Sequence, residues 1–263
     1  MRSTTQPHRI GLIVPSSNTT MESEIPELLR RQQAGAGYRF TCHSSRLRLQ
    51  HVTPEALQRM NESAEDAVDE LCDARVDAVV YACLVALMSK GRNGILSTQA
   101  RLARRCMTAL SGRRAPAVVT SAGALVNALR RLNAARISMI APYHRQLTER
   151  VAATLGEFGI TVVQSRSLEV VDNVEVGRLD PDKLLALASQ MDYSGSDALV
   201  LSACVQMPSL PVIDEAEQRF GLPVISAATA TAFELLQRLD IEPDIGDAGS
   251  LLRPRVEMLK VPA

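Results

Sequence analysis

Two of the five cysteines follow apolar segments of the same form, one in each half of the chain. Cys83 stands in "VDAVVYACLVALMSKG" and Cys204 in "SDALVLSACVQMPSLP". A buried strand that ends at a cysteine places the sulfur at the carboxyl edge of a sheet, where the N–H groups of the next turn point outward. Such donors lower the pKa of a thiol from its ordinary value of about 8.5, so we expect thiolate character. Two such thiols could attack, deprotonate or protonate opposite faces of one small molecule.

The alternative is that these cysteines are small buried hydrophobic residues, as most unpaired cysteines are. We assign that role to Cys42, Cys72 and Cys106. Cys72 and Cys106 fall within predicted helices, and Cys42 ends an ordinary strand. Equivalent placement at two strand ends favours chemistry for Cys83 and Cys204.

Polar residues follow the first predicted strand of each half and reach the same edge. "VPSSNTT" presents Asn18, and "APYHR" presents Tyr143 at the equivalent place. Turn or capping chemistry is the alternative, but a position facing the cysteines favours ligand roles. His144, next to Arg145, is typical of a solvated helix start rather than a general base. Asn173, in the polar loop "EVVDNVEVGRLDP", is either a turn residue or a donor that reaches the cleft.

Short apolar runs alternate with amphipathic segments, which predicts parallel strands covered by helices. The predicted strands are residues 10–14, 38–42, 78–82, 117–120, 137–141, 161–164, 198–202 and 223–226. The predicted helices are residues 20–33, 53–74, 94–110, 123–132, 145–158, 180–191, 213–220 and 228–239. Three similar segments recur in the same order in both halves, which indicates a duplication. The two halves should face each other, with a ligand cleft between the carboxyl ends of their sheets.

Composition excludes several classes of function. The 263 residues include 29 Lys+Arg and 29 Asp+Glu, so no overall field favours nucleic acid or an anionic membrane. No apolar run approaches the roughly 18 residues of a membrane span, and Met1–Arg9 does not read as a signal peptide. We therefore expect a cytoplasmic protein. The cysteine and histidine spacings and the missing glycine-rich motifs predict neither a metal nor a nucleotide cofactor. Lys90 and Arg92 form no cluster at the strand ends, so amides and hydroxyls would have to recognise a carboxylate.

Five segments together resemble the maleate cis–trans isomerases of the aspartate/glutamate racemase superfamily. They are "VPSSNT", "YACLVALMSKG", "APY", "DNVEVGRL" and "LSACVQMPSL", and they span residues 14–210. Paired cysteines alone would indicate only the superfamily, but the two cysteine segments are close to the isomerase form. The resemblance implies an α/β fold of two pseudo-symmetric flavodoxin-like lobes, each a four-stranded parallel sheet with helices on both faces. The active site would lie in the cleft between the lobes.

The resemblance also implies how the chain divides and assembles. In this family the last helix of one half commonly packs on the other half. We therefore expect residues 1–121 together with about 227–245 to form the N-terminal lobe, and residues 122–226 the C-terminal lobe. A homodimer or higher homo-oligomer is implied as well. The tail after Asp240 carries no motif that we can interpret.

The implied reaction is a cofactor-independent conversion of maleate to fumarate, often in the breakdown of nicotinic acid or related aromatics. Cys83 matches the nucleophile, which would add to the double bond and give a succinyl-thioether whose former C=C can rotate. Cys204 matches the thiol that would give a proton to the neighbouring carbon and take it back. The positions that match carboxylate ligands are Asn18, Tyr143 and Asn173. The backbone amides that could serve as oxyanion donors are those of Leu84, Val85 and Val205.

Three other functions fit part of the pattern. A racemase of a small acidic amino acid could use two opposed thiols at one carbon, but no clear basic or acidic pair would recognise an α-ammonium group. An arylmalonate-type decarboxylase typically lacks the cysteine of the first half, whereas Cys83 is present. A two-lobed binding protein without enzymatic activity is disfavoured by the paired cysteines and by the lack of an export signal.

Overall fold

The computed structural model describes residues 6–254 and places their strands in two parallel sheets of four. The first sheet has the order β2-β1-β3-β4, and the second has the equivalent order β6-β5-β7-β8. The strands are β1 (His8–Pro15), β2 (Phe40–Leu47), β3 (Ala78–Tyr81), β4 (Ala117–Thr120), β5 (Arg136–Ala141), β6 (Thr161–Ser167), β7 (Ala198–Ser202) and β8 (Val224–Ser226). The predicted α/β architecture and the repetition of one topology in both halves are confirmed.

Helices connect and cover the strands, as parallel pairing requires. They are α1 (Met21–Ala36), α2 (Pro54–Glu62), α3 (Ala64–Asp73), α4 (Leu84–Met88), α5 (Gly91–Ala109), α6 (Ser121–Arg131), α7 (Arg145–Gly156), α8 (Asn173–Val176), α9 (Pro181–Ala188), α10 (Ile213–Phe220) and α11 (Ala227–Arg238). Two 3-10 turns cover Leu210–Val212 and Ser250–Leu252. In the described residues, no helix is both long and apolar enough to span a bilayer.

Three details of the helices differ from the sequence prediction, and one of them is α8, which lies in the segment predicted as a polar loop. The single helix predicted for residues 53–74 is two helices that meet at Ser63, which has a φ of −78° and a ψ of 0°. The Ser63 hydroxyl donates to the Arg59 carbonyl at 3.3 Å, and such local bonding competes with helix propagation. α4 was not predicted. All of its residues are buried, so its sequence shows no alternation of polar and apolar positions that would mark a helix.

The central strands are buried on both faces. Every residue of β3 and of β7 is buried, which explains why "AVVY" and "ALVLS" are apolar throughout rather than alternating. β3 lies between β1 and β4, and β7 lies between β5 and β8. A residue that follows either strand therefore emerges at the middle of a sheet's carboxyl edge.

Helix α11 leaves the second sheet and packs on α1, α6 and the strands β3 and β4 of the first half. Asn127 of α6 donates to Glu234 of α11 at 3.1 Å. The packing of α11 on α1, β3 and β4 supports the expected exchange of the last helix, whereas α6 falls in the expected C-terminal lobe. The division into lobes at residues 121/122 and 226/227 remains a prediction.

Part of the C-terminal tail packs on α1. Gln32 of α1 donates to the carbonyl of Glu242 at 3.1 Å and accepts from the Asp244 amide at 2.7 Å. Ile245 and Leu252 are fully buried. Residues 1–5 and 255–263 lie outside the described residues, and with them the start of the predicted N-terminal lobe and the end of the tail.

The N-caps of α11 and α2 allow a test of whether burial increases the stabilisation that an N-cap provides. Ser226 is fully buried and accepts from the Thr229 amide at 3.2 Å, while its own amide donates to the Thr229 hydroxyl. Thr53 caps α2 with a 3.3 Å bond to the Ala56 amide, but it is exposed. We expect Ser226→Ala to lower the free energy of unfolding by about 2 kcal/mol, because it leaves a buried amide unpaired, and Thr53→Ala by about 1 kcal/mol or less. Equal losses in denaturant titrations would contradict this.

Candidate active site

The two cysteines singled out from the sequence occupy equivalent places in the two sheets. The residue before each cysteine is still bonded to the first strand of its half. The Ala82 amide donates to the Ile13 carbonyl, and the Ala203 amide donates to the Ile140 carbonyl, both at 3.0 Å. The equivalence proposed from sequence spacing is therefore an equivalence of register.

Both sulfurs border one small cavity between the halves. The residues that line it are Pro15, Asn18, Leu49, Val52, Ala82, Cys83, Leu84, Val85, Tyr143, Asn173, Cys204, Val205 and Gln206. All of the site residues predicted from the sequence are in this set. They come from the loop after β1, the start of α4, the loop after β5, the start of α8 and the loop after β7. Parallel strands bring these segments together because their carboxyl ends share one edge.

The expectation of a lowered thiol pKa is wrong for this structure. Burial raises the pKa of Cys83 to about 12, the Ala86 amide opposes this by a hydrogen bond, and charge on Cys204 raises it further. A thiolate loses its hydration in a closed cavity. The free-energy cost of that desolvation exceeds the stabilisation from one amide hydrogen bond. α4 has only five residues, so little helix dipole is available to offset it.

Cys204 has more hydrogen-bond donors around its sulfur than Cys83 has. Burial raises its pKa too, but the Tyr143 hydroxyl and the amides of Gln206 and Met207 oppose the rise. The backbone nitrogen of Gln206 lies 3.4 Å from Sγ of Cys204. A negative charge on sulfur is therefore better stabilised at Cys204 than at Cys83.

Tyr143 acts as a donor in this site. Burial raises the pKa of Tyr143 well above its ordinary value, so the phenol keeps its proton throughout the neutral range. Its hydroxyl donates to the Ala203 carbonyl at 3.2 Å and also interacts with the Cys204 sulfur.

The two asparagines are held so that amide NH₂ groups are available near the cavity. Oδ1 of Asn18 accepts from the amides of Thr20 and Met21 at 3.0 and 2.9 Å, which leaves Nδ2 as the group that Asn18 can offer to an anion. Nδ2 of Asn173 donates to the Ser17 hydroxyl at 2.7 Å and keeps a second hydrogen. Asn173 is buried and lines the cavity, and this position favours the cleft-donor alternative over a turn residue.

The described side chains that line the cavity include no charged group. Lys90 lines a neighbouring, wider groove together with Arg101, Arg150 and His144, and Val52 borders both the groove and the cavity. Arg92 lies over the Phe158 ring, with its guanidinium carbon 5.4 Å from the ring centre. An anion in the cavity must therefore be recognised by neutral donors, as the sequence indicated.

His144 caps a helix, as expected from its neighbours. Its Nδ1 accepts from the Leu147 amide at 3.3 Å at the start of α7, and it does not line the cavity.

Sequence reasoning missed Leu49, Val52 and Gln206. Leu49 and Val52 follow β2 and supply apolar walls. Gln206 stands inside the segment "LSACVQMPSL", but nothing in the spacing distinguished its side chain. Its contacts reach residues far away in the sequence, and one sequence by itself does not reveal them.

Comparison with known proteins identifies the family. A sequence model of the arylmalonate decarboxylase family matches residues 10–252. The maleate isomerase of Geobacillus stearothermophilus is 49% identical over 245 residues, which cover 93% of this chain and 96% of that protein. The chain belongs to the maleate isomerase family. The resemblance noted in the sequence is thereby confirmed.

Solved structures of maleate isomerases have the same fold. A cysteine-to-alanine variant of the Pseudomonas putida S16 maleate isomerase Iso with maleate superposes with a TM-score of 0.91 at 43% identity, covering 95% of this chain and 98% of that one. A cysteine-to-serine variant of the Nocardia farcinica maleate cis–trans isomerase, with a covalently bound succinylcysteine intermediate, gives a TM-score of 0.89 at 45% identity, covering 94% and 99%. In that relative, a cysteine therefore carries the substrate carbon skeleton.

The raised pKa of Cys83 predicts its reactivity toward a neutral alkylating agent. In the folded, ligand-free protein the rate of Cys83 modification by iodoacetamide should still rise about tenfold per pH unit above pH 9, because only the thiolate reacts. Peptide mapping by mass spectrometry measures the rate at this site. In denatured protein the same peptide should level off near the ordinary pKa of about 8.5. A plateau at or below pH 8.5 in the folded protein would show that the thiolate is stabilised instead.

Proposed function

We propose that this protein isomerises maleate to fumarate without a cofactor. The observation that carries the proposal is the pair of register-equivalent thiols bordering one cavity lined by neutral donors. Nearly full-length similarity to maleate isomerases supports it. Rotation about an intact double bond is prohibitively slow, and addition of a nucleophile removes that barrier by making the bond single.

The proposed reaction starts at Cys83. The thiol loses its proton to solvent, and the thiolate adds to one olefinic carbon of maleate, forming a C–S bond. The electron pair of the former double bond takes the proton of the Cys204 thiol at the neighbouring carbon. The succinyl-thioether rotates about its central C–C bond. Cys204 then removes a proton from the same carbon, the double bond re-forms, the C–S bond breaks, and fumarate leaves.

The donors around Cys204 suit this sequence of steps. Once Cys204 has given up its proton, it is a thiolate, and Tyr143 with the amides of Gln206 and Met207 would stabilise that charge. The raised pKa of Cys83 makes its thiolate scarce but strongly nucleophilic. The assignment of Cys83 as the attacking sulfur and Cys204 as the proton carrier rests on the resemblance, and the donors around Cys204 would stabilise the thiolate that proton transfer leaves there.

Recognition of the two carboxylates would fall to neutral groups. The NH₂ groups of Asn18 and Asn173 can donate to carboxylate oxygens, and Tyr143 would do so by turning its single O–H away from the Ala203 carbonyl. The amides of Leu84 and Val85 belong to the first turn of α4, where N–H groups have no partner within the helix. These two amides and that of Val205 would stabilise charge that develops on a carboxylate during addition.

The composition of the cavity favours maleate over the alternatives. A racemase of an amino acid must bind an ammonium group, and none of the described residues that line the cavity has a carboxylate. Maleate has two carboxylates held cis, which repel each other, so rotation to the trans form is favourable once the central bond is single.

The assembly and the pathway of the enzyme are proposed on the resemblance. We propose a cytoplasmic homodimer, or a higher homo-oligomer, that acts in the breakdown of nicotinic acid or related aromatics. The proposed lobes are residues 1–121 with about 227–245, and residues 122–226. The packing of α11 on the first half supports that division.

An assay with maleate tests the proposed function. We expect the purified protein to form fumarate without added cofactor, and Cys83→Ala to lose activity by at least about a thousandfold, because no thiolate can add. Cys42→Ala is the matched control, since Cys42 is a free cysteine on β2 outside the cavity, and it should keep wild-type activity. No fumarate from the wild type would refute the function, and an active Cys83→Ala would exclude Cys83 as the nucleophile.

The role of Asn18 is tested by a change that preserves its structural bond. Asn18→Asp keeps the oxygen that accepts from the start of α1, so the melting temperature should stay within a few degrees. It replaces the NH₂ donor with a negative charge facing the substrate, so kcat/KM should fall about a hundredfold or more. Asn133→Asp, which changes an exposed asparagine outside the cavity, should leave kcat/KM unchanged. An active Asn18→Asp enzyme would exclude Asn18 as a carboxylate ligand.

A further inference from the structure

The side chain of Gln206 lies where three loops of the site meet, and it is 2% exposed. Its Oε1 accepts from the amides of Thr19 and Thr20 at 2.8 and 3.3 Å. Its Nε2 donates to the carbonyls of Ser17 and Asn173 at 3.0 and 2.9 Å. A primary amide has two N–H donors and one oxygen with two lone pairs, so all of its hydrogen-bonding capacity is used.

The loops that Gln206 joins carry the candidate ligands. The loop after β1 contains Asn18, and the loop after β6 leads to Asn173 at the start of α8. The backbone amide of Gln206 also approaches the Cys204 sulfur. The Gln206 side chain therefore holds together the loop after β1, the loop after β6 and its own loop after β7, directly beside the cavity.

The Gln206 amide is tightly packed on the side that faces Gly177. A Cβ atom at Gly177 would lie 2.7 Å from Nε2 of Gln206 and 2.7 Å from the Thr19 hydroxyl. Gly177 has an ordinary φ of −71°, so its backbone conformation does not require glycine. Close approach to Gln206 is what requires a residue without a side chain here.

We propose that Gln206 is a positioning residue that sets the spacing between Asn18 and Asn173, and thereby the selectivity of the cavity for a four-carbon cis-dicarboxylate. The inference rests on the proposed function. Two carboxylates at a fixed separation bind well only if their donors match that separation, and a misplacement of about 1 Å costs about a hundredfold in rate. Gln206 itself need not touch the substrate for this effect.

Gln206→Leu removes all four hydrogen bonds with little change in size. We expect KM for maleate to rise at least about tenfold and kcat to fall, and the preference for maleate over the bulkier 2-methylmaleate to drop at least about fivefold. Gln32→Leu is the matched control, because Gln32 is also fully buried and bridges two backbone groups, but at the C-terminal tail. Both variants should lower the melting temperature, whereas KM and substrate preference should change only at position 206.

A second variant covers the case in which Gln206→Leu does not fold. Gly177→Ala adds one methyl group that must displace the Gln206 amide, and it should shift KM and substrate preference in the same direction, by at least about threefold. Gly156→Ala is its control, since a Cβ there meets no atom within 4 Å, and it should behave as the wild type.

Alkylation of Cys204 separates failure of this inference from failure of the proposed function. Freed loops should expose the sulfur, so iodoacetamide should modify Cys204 at least about fivefold faster in Gln206→Leu and Gly177→Ala than in the wild type, with both controls unchanged. This readout needs no turnover, so it holds even if the wild type makes no fumarate. The proposal is overturned if both variants keep the wild-type alkylation rate, or if active variants keep wild-type KM and substrate preference.

Discussion

Negative charge in this cavity has no cation to pair with, and the rest of the site follows from that constraint. The described residues that line it are apolar or neutral, yet the proposed chemistry passes a negative charge between two sulfurs in the presence of a dianion. Burial alone makes such charges costly, as the raised pKa of Cys83 shows. Stabilisation must then come from oriented donors, and loops at the carboxyl edges of two sheets supply amides, amide side chains and a phenol there.

Duplication gives the two halves the same framework but not the same electrostatics. The register of the strands is equivalent at Cys83 and Cys204. The groups around the sulfurs differ, since Cys204 faces Tyr143 and two amides, whereas Cys83 faces the Ala86 amide. This asymmetry allows one sulfur to serve as a basic nucleophile and the other to hold a proton that it can release and regain. Equal environments would give no reason for the roles to divide.

Much of the fold and most of the site could be predicted because their signals are local. Apolar runs mark the strands, and the polar residues that end them must meet at one sheet edge, which is how Asn18, Tyr143 and the two cysteines were found. The spacing left Asn173 open between two roles, because a polar loop contains no periodicity, and only the resemblance matched it to a carboxylate ligand. Gln206 was missed because its partners at positions 17, 19 and 20 lie in the other half. The thiol pKa was predicted in the wrong direction because desolvation depends on how tightly the halves close, and strand spacing does not reveal this.

The central claim is that Cys83 forms the covalent bond to the substrate and Cys204 handles the proton. The most direct measurement is peptide mapping by mass spectrometry of the Cys204→Ser variant after incubation with maleate and acid quenching. The account predicts an added mass of about 116 Da, that of maleic acid, on the peptide that contains Cys83, because the thiolate can still add and the neighbouring carbon can take its proton from water, whereas removal of that proton, which breaks the C–S bond, is impaired. An unmodified Cys83 peptide, or the same mass on a different cysteine, would contradict the account.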